Sequence, residues 1–518
     1  MNPRYLADIP SPWNHQAKRF IEAPVYRFPT PDLIAPHADF WLLELMQDGV
    51  RHIVENDKPV LDAAPIWPKL RVGSWIQARV YQIDRANNWC VTVTALGAHI
   101  RGTAVSLIAK APDWEDRDEP PLDYAASLRR NIAWFDSHEQ NPNAYYREPG
   151  MPAWWWHAAE SHHPRKMRYQ GGSYPSLAAQ AIRAYMFAAK AVPDKAEECR
   201  RISRAIGDWL LKNRTPMTGA APGMPWTGMS EGKFEYAAET GAINISRGAH
   251  PGYGMLLLFQ DTGERKYLDY AQHIAGVFAK FIREDGSMPY RIHHETGEVV
   301  EEYTCGHVLV ALFLDAINQV VPDERWSSAV RRILHWTCEH PMRDFNWKAC
   351  YEDVDEKTEF TNLSGMDALW AVRLLCRHAK EDPQHIERAR KLFRWVEDQF
   401  VNFGDEASLA IRTYYPAVRE QWICDFTMEG HASNYAESCW ELYRTTGDEV
   451  FRHKAVATLN AIVRSQRADG AYSTWGIDRE TGLSGLGSGY NWFNANHAAM
   501  SALCCFLLRQ QGATPLPH

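Results

Sequence analysis

Four histidines and a group of carboxylates recur at one kind of place in this chain, the polar cluster that opens an apolar stretch. His250 follows Asn244 and Arg247, His307 follows Glu302 and Tyr303, His431 follows Asp425 and Glu429, and His497 follows Tyr490 and Trp492. A carboxylic acid and a carboxylate facing one gap can protonate a leaving oxygen and activate water or attack carbon, the chemistry of glycosidic cleavage, at separations of roughly 5 to 9.5 Å. In WICDFTMEGHASNY, Asp425 and Glu429 stand between apolar residues able to raise the pKa of one of them, and Glu302 is the complementary carboxylate from another cluster. A second chemistry removes the proton next to a carboxylate, with Tyr or His as base and Arg, Asn or His neutralising the acid. Asn244, Arg247, His250 and Tyr253 suit it, each about 60° from the next if one helix carries all four. Any one such acid is more often an N-cap, and any one such histidine a hydrogen-bonded cap. Repetition at equivalent places is what points to function.

Around these groups lie residues fit to hold a ligand. Lys166, Arg168, Asn244, Arg247, His307 and His497 could pair with an anionic group, while Tyr303, Asn434, Trp475, Tyr490 and Trp492 add hydrogen bonds and flat faces. The chain has 21 Trp and 22 Tyr, many beside Gly, Asn and charged residues, where a ring can stack on the C–H face of a sugar.

The elements that must position these groups are helices of two grades in alternation after about residue 121. One grade has a single apolar face, as in 196–213, 264–282, 324–340, 386–401 and 449–465, with a first example at 124–137. The other is apolar nearly all round, as in 174–189, 244–260, 302–318, 361–377, 430–443 and 494–508, the mark of a buried helix. Six of each predict an (α/α)6 toroid over 121–518, with the polar clusters gathered at the N-terminal ends of its inner helices. Residues 1–120 form a separate region of Pro-rich extended stretches and β-hairpins around 73–108, where Ile76, Ala78 and Val80 alternate before a turn at 84–88.

An internal echo supports the count. Arg283-Glu-Asp-Gly286, then Glu295-Thr-Gly297 and His307, is matched by Arg467-Ala-Asp-Gly470, Glu480-Thr-Gly482 and His497. The turns Thr262-Gly263 to Tyr267 and Thr446-Gly447 to Phe451 match likewise. These Thr-Gly-x-x-x-Tyr/Phe turns and Asp-Gly loops resemble those of the six-hairpin glycosidase superfamily, over roughly residues 121–510. The resemblance implies a toroidal carbohydrate-active enzyme; the grouped carboxylates favour a glycoside hydrolase, Lys166, Arg168, Arg247 and the histidines beside them a uronate-containing saccharide, and a polysaccharide lyase is the alternative. A non-catalytic carbohydrate-binding toroid and a terpene cyclase are weaker readings, the latter resting on Gln466 to Tyr472 and Asp353 to Glu356.

Composition excludes other classes. A net charge of -8 without a block of Lys or Arg argues against nucleic acid. No run of about 18 apolar residues suits a membrane span, and MNPRYLADIPSPW lacks the features of a signal peptide, so the chain as given reads as cytoplasmic, or as periplasmic or secreted if a signal peptide was removed. The ten Cys are scattered without a CxxC pair and read as reduced thiols. No cofactor is expected, since neither zinc-type ligand spacing nor a nucleotide-binding glycine loop is present. Loop acids such as Asp353 and Asp355 could hold a structural Ca²⁺.

Overall fold

The computed structural model describes residues 7–8, 19–27, 38–86, 89–93, 99–100, 106–138, 150–152, 154–155, 157–161, 169–171, 179–227, 241–302, 306–347, 350, 364–421, 426–484 and 490–513. Among the described residues twelve long helices follow one another. They are α1 (Tyr124–Ser137), α2 (Gln180–Ala191), α3 (Ala196–Lys212), α4 (Ala249–Thr262), α5 (Arg265–Phe281), α6 (His307–Val320), α7 (Glu324–Glu339), α8 (Met366–Arg377), α9 (Gln384–Phe400), α10 (Glu429–Thr446), α11 (Glu449–Arg464) and α12 (Phe493–Gln510). The even-numbered helices pack in chain order, and α12 returns to α2, so they close a ring. Each odd-numbered helix packs outside an inner one, with α1 lying against α12.

Sequence explains which helix goes where. In α6, HVLVALFLDAINQV, ten of fourteen residues are buried, because neighbours cover it on every side. In α5 the buried residues Tyr267, Leu268, Ala271, Ile274, Ala275 and Phe278 form one stripe, and the opposite face meets water. No described helix is long and apolar enough to cross a membrane. Among the described residues seven cysteine side chains are free thiols, six of them buried.

The echoed turns are equivalent in space. Gly286 and Gly470 take φ of 93° and 102°, and each donates its N–H 3.0 Å to the carbonyl of the arginine three residues earlier. Each lies so close to the next outer helix that a Cβ would stand 2.1 Å from the Arg332 carbonyl oxygen or 2.3 Å from that of Arg130. Only glycine fits both the backbone and the gap. Arg332 is on α7 and Arg130 on α1, so the second turn seals the last hairpin against the first.

The N-terminal region has its own core, including Trp41, Leu43, Leu45, Leu61, Ile76, Val80 and Ile108. Its sheet runs in the order Arg19–Phe20, Ser106–Lys110, Trp75–Asp84, Phe40–Gln47, Val50–Asn56, and Trp89–Val93 also pairs with Trp75–Asp84. The hairpin expected over 73–108 is therefore present. A further hairpin at 40–56 lies outside the expected range, although its Asp48-Gly49 turn, with φ of 53° and 78°, is a strong two-residue hairpin signal.

Buried polar contacts bind this sheet to α9 and the segment after it. Arg19 Nε lies 2.8 Å from Glu406 Oε1, which also meets Arg419 Nη2 at 3.1 Å. Arg19 Nη1 donates to the Asp398 carbonyl at 2.7 Å, while the Asp398 carboxylate accepts from the N–H groups of Ile21 and Glu22.

Candidate active site

A pocket opens where the N-terminal halves of five inner helices meet. Gln180 and Arg183 come from α2, Arg247 precedes α4, and His250 and Tyr253 lie within it. Met366 and Trp370 come from α8, His431 and Asn434 from α10, and Asn494 and Ser501 from α12. Trp492 and Glu420 complete the wall. Glu420 is delivered by a short strand, Ala417–Val418, paired with Val401–Asn402 at the end of α9.

The side chains here are fixed in orientation and in charge. The Gln180 amide donates to His250 Nε2 at 3.1 Å, which leaves the ring proton on Nδ1. Burial, helped by Arg247 and Arg183, pushes the His250 pKa down to about 3, and burial alone takes His431 down to about 4. Both imidazoles are thus neutral near pH 7, and His250, whose Nε2 already accepts from Gln180, keeps Nδ1–H as a donor. The Trp370 indole donates to Asn434 Oδ1 at 3.3 Å, and the Asn434 amide donates to the Gly430 carbonyl at 3.2 Å. Trp475 stands edge-on behind Trp492 with ring centroids 5.6 Å apart. Among the described residues the lining offers one carboxylate, two neutral imidazoles, cations and aromatic walls. That set can perform general acid–base chemistry on a hydroxyl-rich ring.

Of the residues singled out from sequence, Arg247, His250, Tyr253, His431, Asn434 and Trp492 come together in this pocket. Asp425, Tyr303, Lys166 and Arg168, and the side chain of Tyr490, lie outside the described residues, as do Asp353 and Asp355. The others are placed elsewhere. Asn244 ends a strand, Ala242–Asn244, where it donates to the Tyr290 hydroxyl and accepts from Arg291 Nε. A 3-10 turn, Ile245–Gly248, intervenes before α4, so the four residues spaced by three do not share one helix. Glu302 is exposed and paired with Arg283. Glu429, first residue of α10, turns outward to accept from Ser465 Oγ at 2.6 Å, and burial pushes its pKa up to about 7. Trp475 is buried behind the wall.

His307 and His497 fill the space between the two helical layers. His307 Nε2 is 3.3 Å from Thr337 Oγ1 of α7. His497 stacks flat on Phe135, with centroids 4.6 Å apart, and neither ring nitrogen has a hydrogen-bond partner among the described residues. Burial pushes the His497 pKa down from 6.5 to about 3. An unfolded chain binds that proton below pH 6.5 and the folded chain does not, so stability is complete above 6.5 and lost on acidification toward pH 3, by about 1.4 kcal/mol per pH unit. His497→Phe should flatten the pH dependence of the unfolding free energy between pH 6 and 4 by about one proton. An unchanged slope in guanidinium titrations would count against this assignment.

Arg183 and Glu420 are not among the candidates singled out from the sequence above. A single arginine within the first apolar turns of QAIRAYMFAAKA was the available signal, since such a charge is rarely buried unless paired. Asp367 was also missed. It is buried on α8, accepts from the Gly306 N–H at 3.2 Å, and is pushed up to about 7 by burial.

No protein-family model and no curated protein matches this chain. Solved structures do. A family 76 glycoside hydrolase from a bovine Bacteroides thetaiotaomicron strain matches with a TM-score of 0.53 at 10% identity, over 95% of this chain and 97% of that one. Cellobiose 2-epimerase from Bacillus thermoamylovorans matches at 0.54 and 11%, over 74% of this chain and 99% of that one. D-mannose isomerase matches at 0.53 and 10%, over 75% and 97%. At such identities the likeness is one of fold. The chain is a six-hairpin (α/α)6 toroid, as the resemblance of its turns implied.

Proposed function

We propose that this protein is a carbohydrate-processing enzyme of the toroidal glycosidase kind, hydrolysing an anionic, uronate-containing oligosaccharide in the pocket at the head of the ring. The observation that carries the reading is Glu420, a buried carboxylate among two neutral imidazoles, two arginines and two tryptophans. In hydrolysis Glu420 is one member of the acid–base pair. Asp425, five residues further on, is the candidate for the other, taking the place first given to Glu429 and Glu302. Trp370 and Trp492 supply stacking faces, and Arg183 and Arg247 make the pocket cationic, as suits a uronate. The structural neighbours that are named as a glycoside hydrolase, an epimerase and an isomerase all act on sugars by their names, which supports the substrate class.

One observation favours a second reading. His250 and His431, both held neutral, face the same pocket as Arg247 and Tyr253, and such a set can move a proton at carbon beside a carbonyl or carboxylate without a second carboxylate. That chemistry covers isomerisation, epimerisation and lyase action. Incubation with uronate-containing oligosaccharides and with free reducing sugars in D₂O separates the two. Hydrolysis yields new reducing ends, with no deuterium on carbon and no new C4=C5 double bond. Deuterium on carbon, or an unsaturated product, without hydrolysis overturns the proposal in favour of the second reading.

A further inference from the structure

We infer that Arg183 forms a closed, cationic floor to the pocket and takes the carboxylate of a terminal anionic sugar, so that the enzyme works from chain ends. The inference rests on the carbohydrate reading above and adds where the charge is read. The inner helices lead away from the pocket, and below its lining the ring axis is filled by side chains rather than left open. Glu437 and Glu441 of α10, Arg373 and Arg377 of α8, Arg509 of α12 and Asp315 of α6 lie there in ion pairs. Arg183 Nη2 lies 2.7 Å from Glu437 Oε1, and Arg373 Nη2 lies 2.8 Å from Glu437 Oε2. Glu437 is thus shared by two guanidiniums, Glu441 meets Arg509 and, at 3.6 Å, the half-exposed Arg444, and Asp315 meets Arg377. In this set five guanidiniums meet three carboxylates, so cations are in excess, and Arg183 carries that positive charge to the pocket lining.

Arg183 is the member of this set that reaches the pocket, with 15% of its side chain exposed. Its Nη2 is committed to Glu437 and to the Cys505 sulfur 3.7 Å away, and its Nη1 has no hydrogen bond among the described residues. The imidazole of His250 and the phenol of Tyr253 stand near it uncharged, so neither cancels the cation. A guanidinium held in a dry, low-dielectric place attracts a carboxylate far more strongly than one in water, and its planar edge suits the two oxygens of that group. Because the axis is packed beneath it, a saccharide cannot thread through, and only a terminal residue reaches Arg183.

Trp370 and Trp492 line the pocket and report binding through their fluorescence. Titration with methyl glucuronide and with methyl glucoside should show the uronide bound at least about tenfold more tightly, and Arg183→Gln should remove that preference while leaving the glucoside affinity within about twofold. Full preference in Arg183→Gln overturns the inference. Should that variant fail to fold, the native protein gives the answer: oligosaccharides with a terminal uronate should bind, and equal binding of ones with only an internal uronate overturns it. Neither readout involves turnover. A proton-transfer enzyme that still needs Arg183 for the uronide would sink hydrolysis alone, and a hydrolase indifferent to Arg183 would sink this inference alone.

Discussion

Glu420→Gln should lower turnover by about 10² to 10⁴-fold with little change in thermal melting, and Glu429→Gln should do the reverse. The two glutamates are nine residues apart and both buried, but only Glu420 borders the pocket. Glu429 faces outward to Ser465 at the end of α11, where a neutral amide can still accept the hydroxyl hydrogen bond. Its folded pKa of about 7 stands above the ordinary 4.5. Stability from this group is therefore complete below pH 4.5 and lost as pH rises through 7, a loss on the order of 3 kcal/mol at pH 8. Glu429→Gln should accordingly gain stability over the native protein at pH 8 and little at pH 4. Saturating turnover and guanidinium unfolding at both pH values check the pair. Near-normal turnover in Glu420→Gln would remove the carboxylate on which the proposed hydrolysis depends.

How much of this was legible follows from what a helix does to a residue's direction. The ring was readable because burial on all sides leaves a continuous apolar run, as in α6, and because Gly286 and Gly470 must be glycine for the same steric reason. The site was readable only in part. His250, His431, His307 and His497 are the second, third, first and fifth residues of their helices. Each step along a helix turns a side chain by about 100°, so places that look equivalent in the sequence face different ways. Two of the four face the pocket and two fill the interlayer core. Asn244 was misplaced for a related reason, since a strand and a 3-10 turn break the helical spacing before α4. Glu420 did not stand out because it sits well ahead of α10. The pairing of 417–418 with 401–402 that carries it to the pocket is a contact between distant residues, which no local pattern announces.

That pairing also explains why the N-terminal sheet should matter to activity, and Glu406 is where the connection can be cut. Glu406 is fully buried between Arg19 of the sheet and Arg419, the neighbour of Glu420. Asn402 also donates to it, so one carboxylate holds three groups from three parts of the chain. Removing one member of a buried ion pair leaves its partner charge desolvated, and Glu406→Gln takes away the carboxylate that two guanidiniums share, so a loss of about 3 to 5 kcal/mol is expected. Exposed pairs behave otherwise. Glu480→Gln, which breaks a contact with Arg412 at the surface, should cost less than about 1 kcal/mol and serves as the control. The Arg419 N–H donates to the Phe400 carbonyl at 2.9 Å, and the Met428 N–H to the Val418 carbonyl at 2.7 Å, so the strand bearing Glu420 is held from both sides. Loosening Arg419 should free that strand before the ring melts. Turnover in Glu406→Gln is therefore expected to fall at temperatures where the helical circular dichroism is still intact. A variant that unfolds and loses activity in one step would show that Glu406 supports the whole fold, and one that loses less than about 1 kcal/mol would show that the two arginines are neutralised by other means.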